Sequence, residues 1–167
     1  MPRNTLLSDL KIRPYRNEDA DGTLDVFLAA VTITAAADYS EGQIAAWSGP
    51  SHRNTTDWDR SMTIRDSYVA VLEDEIVGFS DVNADGYIDM LFVSPRHTRR
   101  GIARSLLTFM EIRALDLGAH QLWANVSRTA RPLFERHGFA VQVEQHPVLA
   151  GVQMTNFRML KSLKDVR

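Results

Sequence analysis

The sequence contains no cysteine in 167 residues, which excludes disulfide bonds, a catalytic thiol and thiolate metal ligands. Its first stretch, MPRNTLLSDLKIRP, has no apolar core of signal-peptide length, so we expect a cytoplasmic protein. No uninterrupted apolar run approaches the roughly 18 residues of a membrane span, so no membrane partner is predicted. The five histidines show no i, i+4 pairing with a carboxylate partner, so no metal site is predicted.

Internal repeats, low-complexity tracts and linkers are also missing from the sequence. At this length the chain fits one domain, residues 1–167, which is long enough to bury a sizeable core. The hydrophobic fraction of 44% and the charged fraction of 24% are ordinary for a globular protein. The composition therefore predicts a single globular domain, and any indication of function has to come from the positions of particular residues.

The charged residues are unevenly divided along the chain, although the net charge is only −2. Residues 96–137 contain eight arginines, no lysine and three acids, a balance of +5. The remainder holds 11 basic and 18 acidic residues, a balance of −7. This asymmetry points to an anionic ligand on one side of the molecule. Nucleic acid is disfavoured as that ligand by the overall acidity and by the lack of lysine and interleaved aromatic residues in the basic segment.

The hydrophobic pattern predicts a mixed sheet with helices on both faces, in the order β-α-α-β-β-β-α-β-α-β-β. A helical crossover joins the strands at 87–93 and 120–126, so these two should be parallel. The predicted strands are 10–15, two within 67–82 joined at Glu73-Asp74, 87–93, 120–126, and two more in FAVQVEQ and VQMTNFRML.

Helix boundaries are predicted from capping and stop signals. Asn17 is expected to cap a helix that begins at Glu18. Ser40 and Gln43 form a capping box for a helix through Trp47 that stops at Gly49-Pro50. Two further helices are predicted over 102–117 and from about Thr129 to Gly138, and residues 51–62 have no assignment.

The stretch SPRHTRRGIARSLL, residues 94–107, lies where a predicted strand ends and a helix begins. Backbone N–H groups there have no helical partner, and the helix dipole favours negative charge. Gly101 would let a phosphate approach the backbone closely. We therefore expect a di- or triphosphate ligand, the alternative being a solvated loop with self-paired arginines. The signatures GxxxxGK[ST] and GxGxxG are absent, which disfavours a P-loop and a dinucleotide fold.

Two segments carry a resemblance to a known family. Arg99-Arg100-Gly101-Ile102-Ala103, with the strand before it, resembles the pyrophosphate loop of the GNAT superfamily of acyl-CoA-dependent N-acetyltransferases. ANVSRTARPLFERHGF, residues 124–139, is similar to that superfamily's strand–helix segment. The resemblance covers about residues 67–160 by motif and the rest by element order. YIDMLFV and the late TNF look like the bacterial YafP-type branch.

This resemblance implies an α/β (α+β) fold with a mixed, mostly antiparallel twisted sheet of about seven strands, whose central parallel pair splays apart to hold acetyl-CoA. Strand backbone would pair with the pantetheine arm, amides of the arginine turn would hold the diphosphate, and Asn125 would face the cofactor. The implied cofactor-binding residues are Leu91, Phe92, Val93, Arg99, Arg100, Gly101, Ile102, Ala103, Arg104, Ser105, Asn125, Ala130, Leu133, Phe134 and Arg136.

The implied reaction moves the acetyl group of acetyl-CoA to a primary amine, preferably of a small molecule. A lysine-like amine with a pKa of ~10.4 is roughly 99.9% protonated at pH 7, so a base is needed. The resemblance implies Asp89 as that base; the alternative is that Asp89 only orients a cationic substrate or caps a turn.

A tyrosine that protonates the leaving sulfur in many relatives is replaced here by Phe134. Tyr39 or Tyr87 is a candidate substitute, although packing is the commoner role for either. Tyr39, Trp47 and Trp58 are expected to form the wall of the acceptor pocket, with Asp89 contacting the acceptor as well.

Two other functions stay open from the sequence alone. One is a non-catalytic acyl-CoA-binding sensor or interaction module, which the phenylalanine at 134 favours and an ionisable Asp89 in the cleft disfavours. The other is a nucleic-acid-binding domain, which would show steep salt dependence with oligonucleotides and no response to CoA. A homodimer through the C-terminal strands is also possible.

Overall fold

The computed structural model describes residues 9–49 and 54–163 of the chain. Within these ranges there are five α-helices: α1 Ala20–Thr32, α2 Glu41–Ser48, α3 Thr55–Ile64, α4 Ile102–Asp116 and α5 Arg131–Arg136. The same ranges contain ten strands: β1 Lys11–Pro14, β2 Tyr68–Leu72, β3 Glu75–Ser80, β4 Tyr87–Ile88, β5 Leu91–Val93, β6 Gln121–Ser127, β7 Ala140–Gln145, β8 Val148–Leu149, β9 Val152–Gln153 and β10 Asn156–Ser162.

The strands form two four-stranded sheets and one small hairpin. The first sheet has the order β1-β2-β3-β5 and is antiparallel throughout. The second has the order β4-β6-β10-β7, in which β4 and β6 are parallel and the other pairs antiparallel. The parallel pairing predicted for 87–93 and 120–126 is therefore confirmed, but only for Tyr87↔Trp123 and Ile88↔Ala124.

Both faces of the first sheet are buried by helices. Val69 and Ala70 are neighbours on β2 whose side chains point to opposite faces, and both are 0% exposed. Val69 belongs to the apolar cluster that contains Phe27 of α1. Ala70 belongs to the cluster that contains Ile102 and Leu106 of α4. The predicted placement of helices on both faces is confirmed for this sheet.

Several local predictions match the structure. The hairpin turn falls at Glu73-Asp74, where both residues have positive φ (51° and 65°). The capping box forms as expected: the Ser40 N–H donates to Gln43 Oε1 (2.9 Å), and the Gln43 N–H donates to Ser40 Oγ (3.2 Å). The helix that it caps ends at Ser48; Pro50, predicted as part of its stop signal, lies outside the described residues.

Two helix predictions need correction. Asn17 opens a short 3₁₀ turn rather than capping a helix, and α1 begins at Ala20. Asp19 fixes the chain at the start of α1. Its carboxylate accepts hydrogen bonds from the Arg16 N–H (2.8 Å) and from the Arg13 guanidinium (2.7 Å). The unassigned stretch contains α3, capped by the side chain of Asn54. Three helices therefore stand between the first two strands instead of two.

The strand count exceeds the predicted seven for three physical reasons. The strand predicted at 87–93 is interrupted, so its two halves join different sheets. The strand predicted in VQMTNFRML is divided between β9 and β10. The short β8 pairs with β9 across Ala150 and Gly151, which both have positive φ (49° and 78°).

One helical stretch of the described residues, Asn17–Ala37, is long and apolar enough to cross a membrane by length and composition (21 residues, mean hydropathy 1.4). Sequence analysis predicted no membrane span at this stretch. In the fold this stretch is α1 with its flanking 3₁₀ turns. Its side chains Phe27 and Val31 are 2% and 0% exposed, as in a core helix.

Candidate functional site

The interruption between β4 and β5 is held by a buried carboxylate. The N–H groups of Asp89 and Met90 donate to the two oxygens of Asp81, at 2.8 and 3.1 Å. The Ser80 hydroxyl donates to the Met90 carbonyl at 2.8 Å. Asp81 is 3% exposed, and this burial raises its pKa to about 6. The chain therefore leaves the sheet at Asp89 and Met90 with both N–H groups and the Met90 carbonyl hydrogen-bonded.

Beyond this interruption, β5 and β6 separate and form a cleft. β5 pairs with β3 on one side and is the last strand of its sheet. The Ser94 N–H donates to the Val77 carbonyl (2.8 Å), so residue 94 faces β3. Because backbone groups alternate in direction along an antiparallel edge, those of Leu91 and Val93 are expected to face the cleft.

A cavity of about 600 Å³ occupies this cleft. Its walls come from β5 and β6, from the α1–α2 region and from residues 147–156. It brings together eight residues that the sequence predicted: Tyr39, Trp47, Asp89, Leu91, Phe92, Asn125, Ala130 and Phe134.

The other predicted residues lie elsewhere. Val93 and Leu133 are half-buried outside the cavity wall, with Leu133 packed against the core. Arg136 is exposed near the end of α5. Trp58 is 4% exposed and donates from Nε1 to Thr23 Oγ1 (2.9 Å). Trp58 is therefore a core residue, and its predicted place in the pocket wall is wrong.

Asp89 lies between two cavities. Its side chain is 40% exposed; Oδ1 accepts the Tyr87 hydroxyl (3.1 Å), and Oδ2 lies 3.6 Å from Arg65 Nε. The same Arg65 nitrogen is 3.6 Å from Asp81 Oδ2. A second cavity, of about 510 Å³, is lined by all four of these residues. Asp89 thus borders both cavities, and the two groups that contact its carboxylate oxygens, Tyr87 and Arg65, border the second one.

Tyr87 lies beside Asp89, and its hydroxyl also interacts with the side chain of Asn125, which lines the cleft. Its ring stacks on Trp123 with centroids 4.3 Å apart, and it borders only the second of the two cavities. Burial, reinforced by the charge of Asp89, raises the Tyr87 pKa to about 12. Its hydroxyl is therefore a stable hydrogen-bond donor to the carboxylate.

Tyr39 is 7% exposed and has both hydrogen-bonding positions of its hydroxyl occupied. It donates to the Thr155 carbonyl (2.8 Å) and accepts the Arg128 N–H (2.9 Å). Burial raises its pKa. Its ring packs edge-on against Trp47, with centroids 5.3 Å apart. The geometry favours Tyr39 as a rigid part of the pocket wall over Tyr39 as a proton donor.

The arginine turn presents free backbone donors. Gly101 precedes α4 with φ 83°, and Arg99 also has positive φ (62°). Within residues 9–49 and 54–163, no protein acceptor is hydrogen-bonded to the N–H groups of 99–104. Arg96 pairs with Glu75 (2.7 Å), whereas three arginine side chains are exposed and have no ion pair in those ranges: Arg99, Arg100 and Arg104.

Sequence reasoning missed three parts of the site. Asp81 and Arg65 carry no motif, because their meeting with Asp89 depends on the pairing of β3 with β5. The hairpin at 147–150 lines the cavity, and only its turn-forming PVLAG composition signalled it. In the described part of the chain, no group of three or more His, Cys, Asp or Glu could hold a metal ion.

Comparison with known proteins places this site in a family. The model of the acetyltransferase (GNAT) domain matches residues 35–161. Over 153 residues the chain is 35% identical to the uncharacterized N-acetyltransferase YafP of Escherichia coli strain K12, covering 92% of this chain and 96% of that protein.

Solved structures of N-acetyltransferases match the fold of this chain. A GCN5-related N-acetyltransferase from Rhodopseudomonas palustris superposes with a TM-score of 0.87 at 29% identity, covering 92% of this chain and 95% of that one. PaiA N-acetyltransferase from Thermoplasma acidophilum, solved with coenzyme A, gives 0.74 at 19% identity, covering 92% and 99%.

The interrupted strand, the cleft and these matches define an N-acetyltransferase fold of mixed α+β class. The chain belongs to the GNAT family of acetyltransferases and is similar to YafP. The family resemblance predicted from residues 99–103 and 124–139 is confirmed, and so is the fold class.

Proposed function

We propose that this protein transfers the acetyl group of acetyl-CoA to the primary amine of a small molecule, with Asp89 as general base. The observation that carries the proposal is the position of Asp89, at the interruption between β4 and β5 and in the wall of the cleft cavity. That cavity, about 600 Å³, has the size of a small-molecule site, for which roughly 300–1,000 Å³ is typical.

Acetyl-CoA fits the cleft as its co-substrate. The edge of β5 offers Leu91 and Val93 for strand-like pairing with the pantetheine arm, beside Phe92, and Asn125 stands opposite. The linked phosphates need several donors and positive charge, which the unpartnered amides and exposed arginines of the turn provide. In this proposal the turn contributes Arg99, Arg100, Gly101, Ile102, Ala103, Arg104 and Ser105, while Ala130, Leu133 and Phe134 line the thioester end and Arg136 reaches the adenosine phosphates.

The chemistry is a direct attack on the thioester. Asp89 accepts one proton from the ammonium form of the acceptor, and the neutral nitrogen bonds to the thioester carbonyl carbon. The adduct then expels the sulfur as the carbon–sulfur bond breaks, and the nitrogen loses its second proton to the released thiolate or to water. The Val93 N–H, at the cleft edge, can stabilise the negative charge that develops on the carbonyl oxygen. The sulfur leaves as a thiolate, which a thiol pKa near ~8.5 permits without an acid at Phe134.

The two tyrosines take supporting positions in this scheme. Tyr87 holds Asp89 Oδ1 through its hydroxyl and so orients the base. Tyr39 and Trp47 supply wall area for the acceptor.

The test is a screen of amines with purified protein and acetyl-CoA, read out as free CoA thiol and as the mass of the acetylated product. Calorimetry with CoA alone measures co-substrate binding separately. We expect CoA binding and thiol release that depends on an amine. Failure to bind CoA would refute the assignment of the arginine turn, and binding without release in any amine would refute the catalytic proposal.

A cytoplasmic location and a homodimer complete the proposal. The location depends on the sequence alone and is tested by cell fractionation. The dimer is supported by β7, the outer strand of the second sheet, whose Val143 is 47% exposed. Sedimentation of the protein and of Val143→Lys tests it: a dimer that the lysine leaves intact is formed elsewhere.

A further inference from the structure

Resting on the proposed function, we infer that the acceptor is a primary amine with an uncharged, apolar body, such as an arylalkylamine, and that Ala46 and Trp47 help to select it. The cleft cavity is lined by 23 residues, and among the described residues Asp89 is the one with a formal charge. The acceptor shares this cavity with the thioester end of acetyl-CoA, and its part is the one bordered by Tyr39, Ala46 and Trp47. An acceptor there can place one ammonium group beside Asp89 and has to be apolar elsewhere.

Aromatic rings form a continuous wall along one side of the cavity. Ring centroids are 5.3 Å apart for Tyr39 and Trp47, 6.2 Å for Trp47 and Phe92, and 5.0 Å for Phe92 and Phe27. All four rings line the cavity. Edge-on and tilted rings at these spacings suit a flat or chain-like apolar body.

A carboxylate or phosphate on the acceptor would have no cationic partner among the described lining residues. Two guanidinium groups lie behind the wall. That of Arg65 contacts the lining residues Asp89 (3.6 Å) and Met90 (3.4 Å) and is already shared with the carboxylate of Asp81 (3.6 Å). That of Arg128 lies 5.9 Å from the Tyr39 ring centroid. It is already bonded to Thr155 Oγ1 (3.1 Å) and to the carbonyl of Asp38 (3.5 Å). An acidic substituent would therefore lose its hydration without compensation, which disfavours amino acids as acceptors.

A second ammonium group meets the opposite problem. Asp89 is the single carboxylate in the described wall, and its other neighbours, Tyr87 and Arg65, already contact it. A diamine would leave one of its charges against apolar side chains. The wall thus selects against polyamines as well as against amino acids.

Two pairs of acceptors test the inference, since each pair differs only by one charge. Phenylethylamine is compared with phenylalanine, and hexylamine with 1,6-diaminohexane, in the thiol-release assay. We expect kcat/KM to be roughly 100-fold higher for phenylethylamine than for phenylalanine, and about 10-fold higher for hexylamine than for the diamine. Equal or reversed preference in both pairs would overturn the inference, as would exclusive acetylation of a peptide or protein amine.

A variant that adds a charge sharpens the test. Ala46→Arg places a cation in the cavity wall, and we expect it to raise kcat/KM for phenylalanine about 10-fold. Ala36→Arg, at an exposed position outside the wall, is the matched control and should change neither ratio. If no amine reacts but CoA binds, the proposed function fails; if charged amines are preferred, only the present inference fails.

A second inference has a separate basis: the structure assigns Asp81 as a positioning residue for the interrupted strand and, through it, for Asp89. Two successive N–H groups donate to one buried carboxylate, which a continuous strand does not permit because successive N–H groups point to opposite sides. Arg65 spans the two carboxylates with Nε at 3.6 Å from each.

The groups around Asp81 restrict the movement of its side chain. The ionisable groups facing the second cavity beside it are Arg65, Asp66, Tyr68, Tyr87, Asp89 and Arg113. The Arg65 Nη2 also contacts the sulfur atoms of Met62 (3.3 Å) and Met90 (3.4 Å). Movement of Asp81 would therefore shift the backbone of Asp89 and Met90 together.

Asp81→Asn keeps the size of the side chain but replaces one acceptor oxygen by a donor. We expect kcat to fall about 10-fold or more while KM for acetyl-CoA stays within about twofold, because the cleft edge at Val93 and the arginine turn are untouched. Asp85→Asn, in the exposed turn before β4, is the control and should match the parent protein.

Ser80→Ala removes the other bond to the interruption and leaves Asp81 in place. It should lower kcat in the same direction by a smaller factor, and it keeps the inference testable if Asp81→Asn is unstable. Parental kcat in both variants would overturn the assignment. So would equal loss of kcat and of co-substrate binding, which indicates general unfolding.

Discussion

The chain leaves regular structure at two places beside the cleft, and it treats its backbone donors in opposite ways there. At Asp89 and Met90 the N–H groups are bonded to the buried Asp81. Around Gly101 the N–H groups have no partner in the described chain, and the arginines beside them are exposed. The first place is ordered by the protein itself, and at the second we propose that the phosphates of CoA supply the missing acceptors. The residue proposed for catalysis and the residues proposed for co-substrate binding thus lie at separate places in the fold.

Of the variants that distinguish the interruption at Asp89 from the arginine turn, Asp89→Asn is expected to have the largest effect on kcat. Loss of a general base should lower kcat by about 100- to 1,000-fold, because such catalysis contributes typically 10²–10⁴-fold. The CoA dissociation constant, which depends on the arginine turn, should stay within about twofold. Steady-state kinetics and calorimetry measure the two quantities. Parental kcat would show that another group accepts the proton.

The next effect concerns stability at the interruption. Burial raises the folded-state pKa of Asp81 from 3.8 to about 6, so the protonated form is favoured in the folded protein. The corresponding stabilisation is fully present below pH 4 and is lost as pH rises through 6. At ~1.36 kcal/mol per pKa unit, the parent should lose on the order of 3 kcal/mol relative to Asp81→Asn between pH 4 and 7.

Urea unfolding of both proteins at the two pH values measures that difference. A difference that does not change with pH would mean that the carboxylate of Asp81 titrates normally.

A smaller effect is expected from Gly101→Ala. Its φ of 83° lies in the left-handed region, where a side chain costs ~1–2 kcal/mol, and the new methyl group stands beside the free amides. CoA affinity should fall about 10-fold while kcat at saturation is unchanged. Gly118→Ala, with φ 87° and open space around it, is the control: it should lower stability by about 1 kcal/mol and leave CoA affinity alone. Equal CoA affinity in both variants would contradict the ligand-binding assignment.

The smallest effect compares two arginines of the same turn. Arg100 is exposed with no ion pair in the described ranges, whereas Arg96 is paired with Glu75 at 2.7 Å. Arg100→Ala should weaken CoA binding about 3- to 10-fold, more at low salt than at high salt. Arg96→Ala should change it by less than about twofold. The reverse ranking, measured by titration at two salt concentrations, would place the phosphates on the other side of the turn.

Most features that sequence predicted correctly are local; the parallel pairing of β4 with β6 is an exception that followed from the helical crossover between them. The hairpin at Glu73-Asp74 and the capping box at Ser40 depend on residues within three positions of one another. The start of a helix just after Gly101 was also predicted from local sequence, and phosphate binding at that turn stays a prediction. The family resemblance added the cleft, since it related this turn to a strand pair far away in the sequence.

The features that sequence missed depend on distant contacts. Tyr39 was predicted in the pocket wall, but its hydroxyl donates to a carbonyl 116 residues away, so the bond that holds it there has no local signal. Trp58 is as aromatic as Trp47, and only the packing of α3 on α1 decides that one is in the core and the other in the cavity wall. The interruption at Asp89 depends on Asp81, which an alternating pattern reads as an ordinary strand end.

The brevity of the parallel pairing has a mechanical consequence. Among the described residues no strand ladder joins the two four-stranded sheets, and β4 is held in the second sheet by only two residue pairs with β6. The sheets are connected by the chain that runs from β4 to β5 and by α4, which packs on β3, β5 and β6. A ligand that contacts β5 and β6 at once adds a further connection between the two sheets, because β5 belongs to the first sheet and β6 to the second. Occupancy of the cleft therefore stabilises the whole domain, by about 2.7 kcal/mol at a ligand concentration 100 times the dissociation constant. The empty enzyme is the looser and more easily unfolded form.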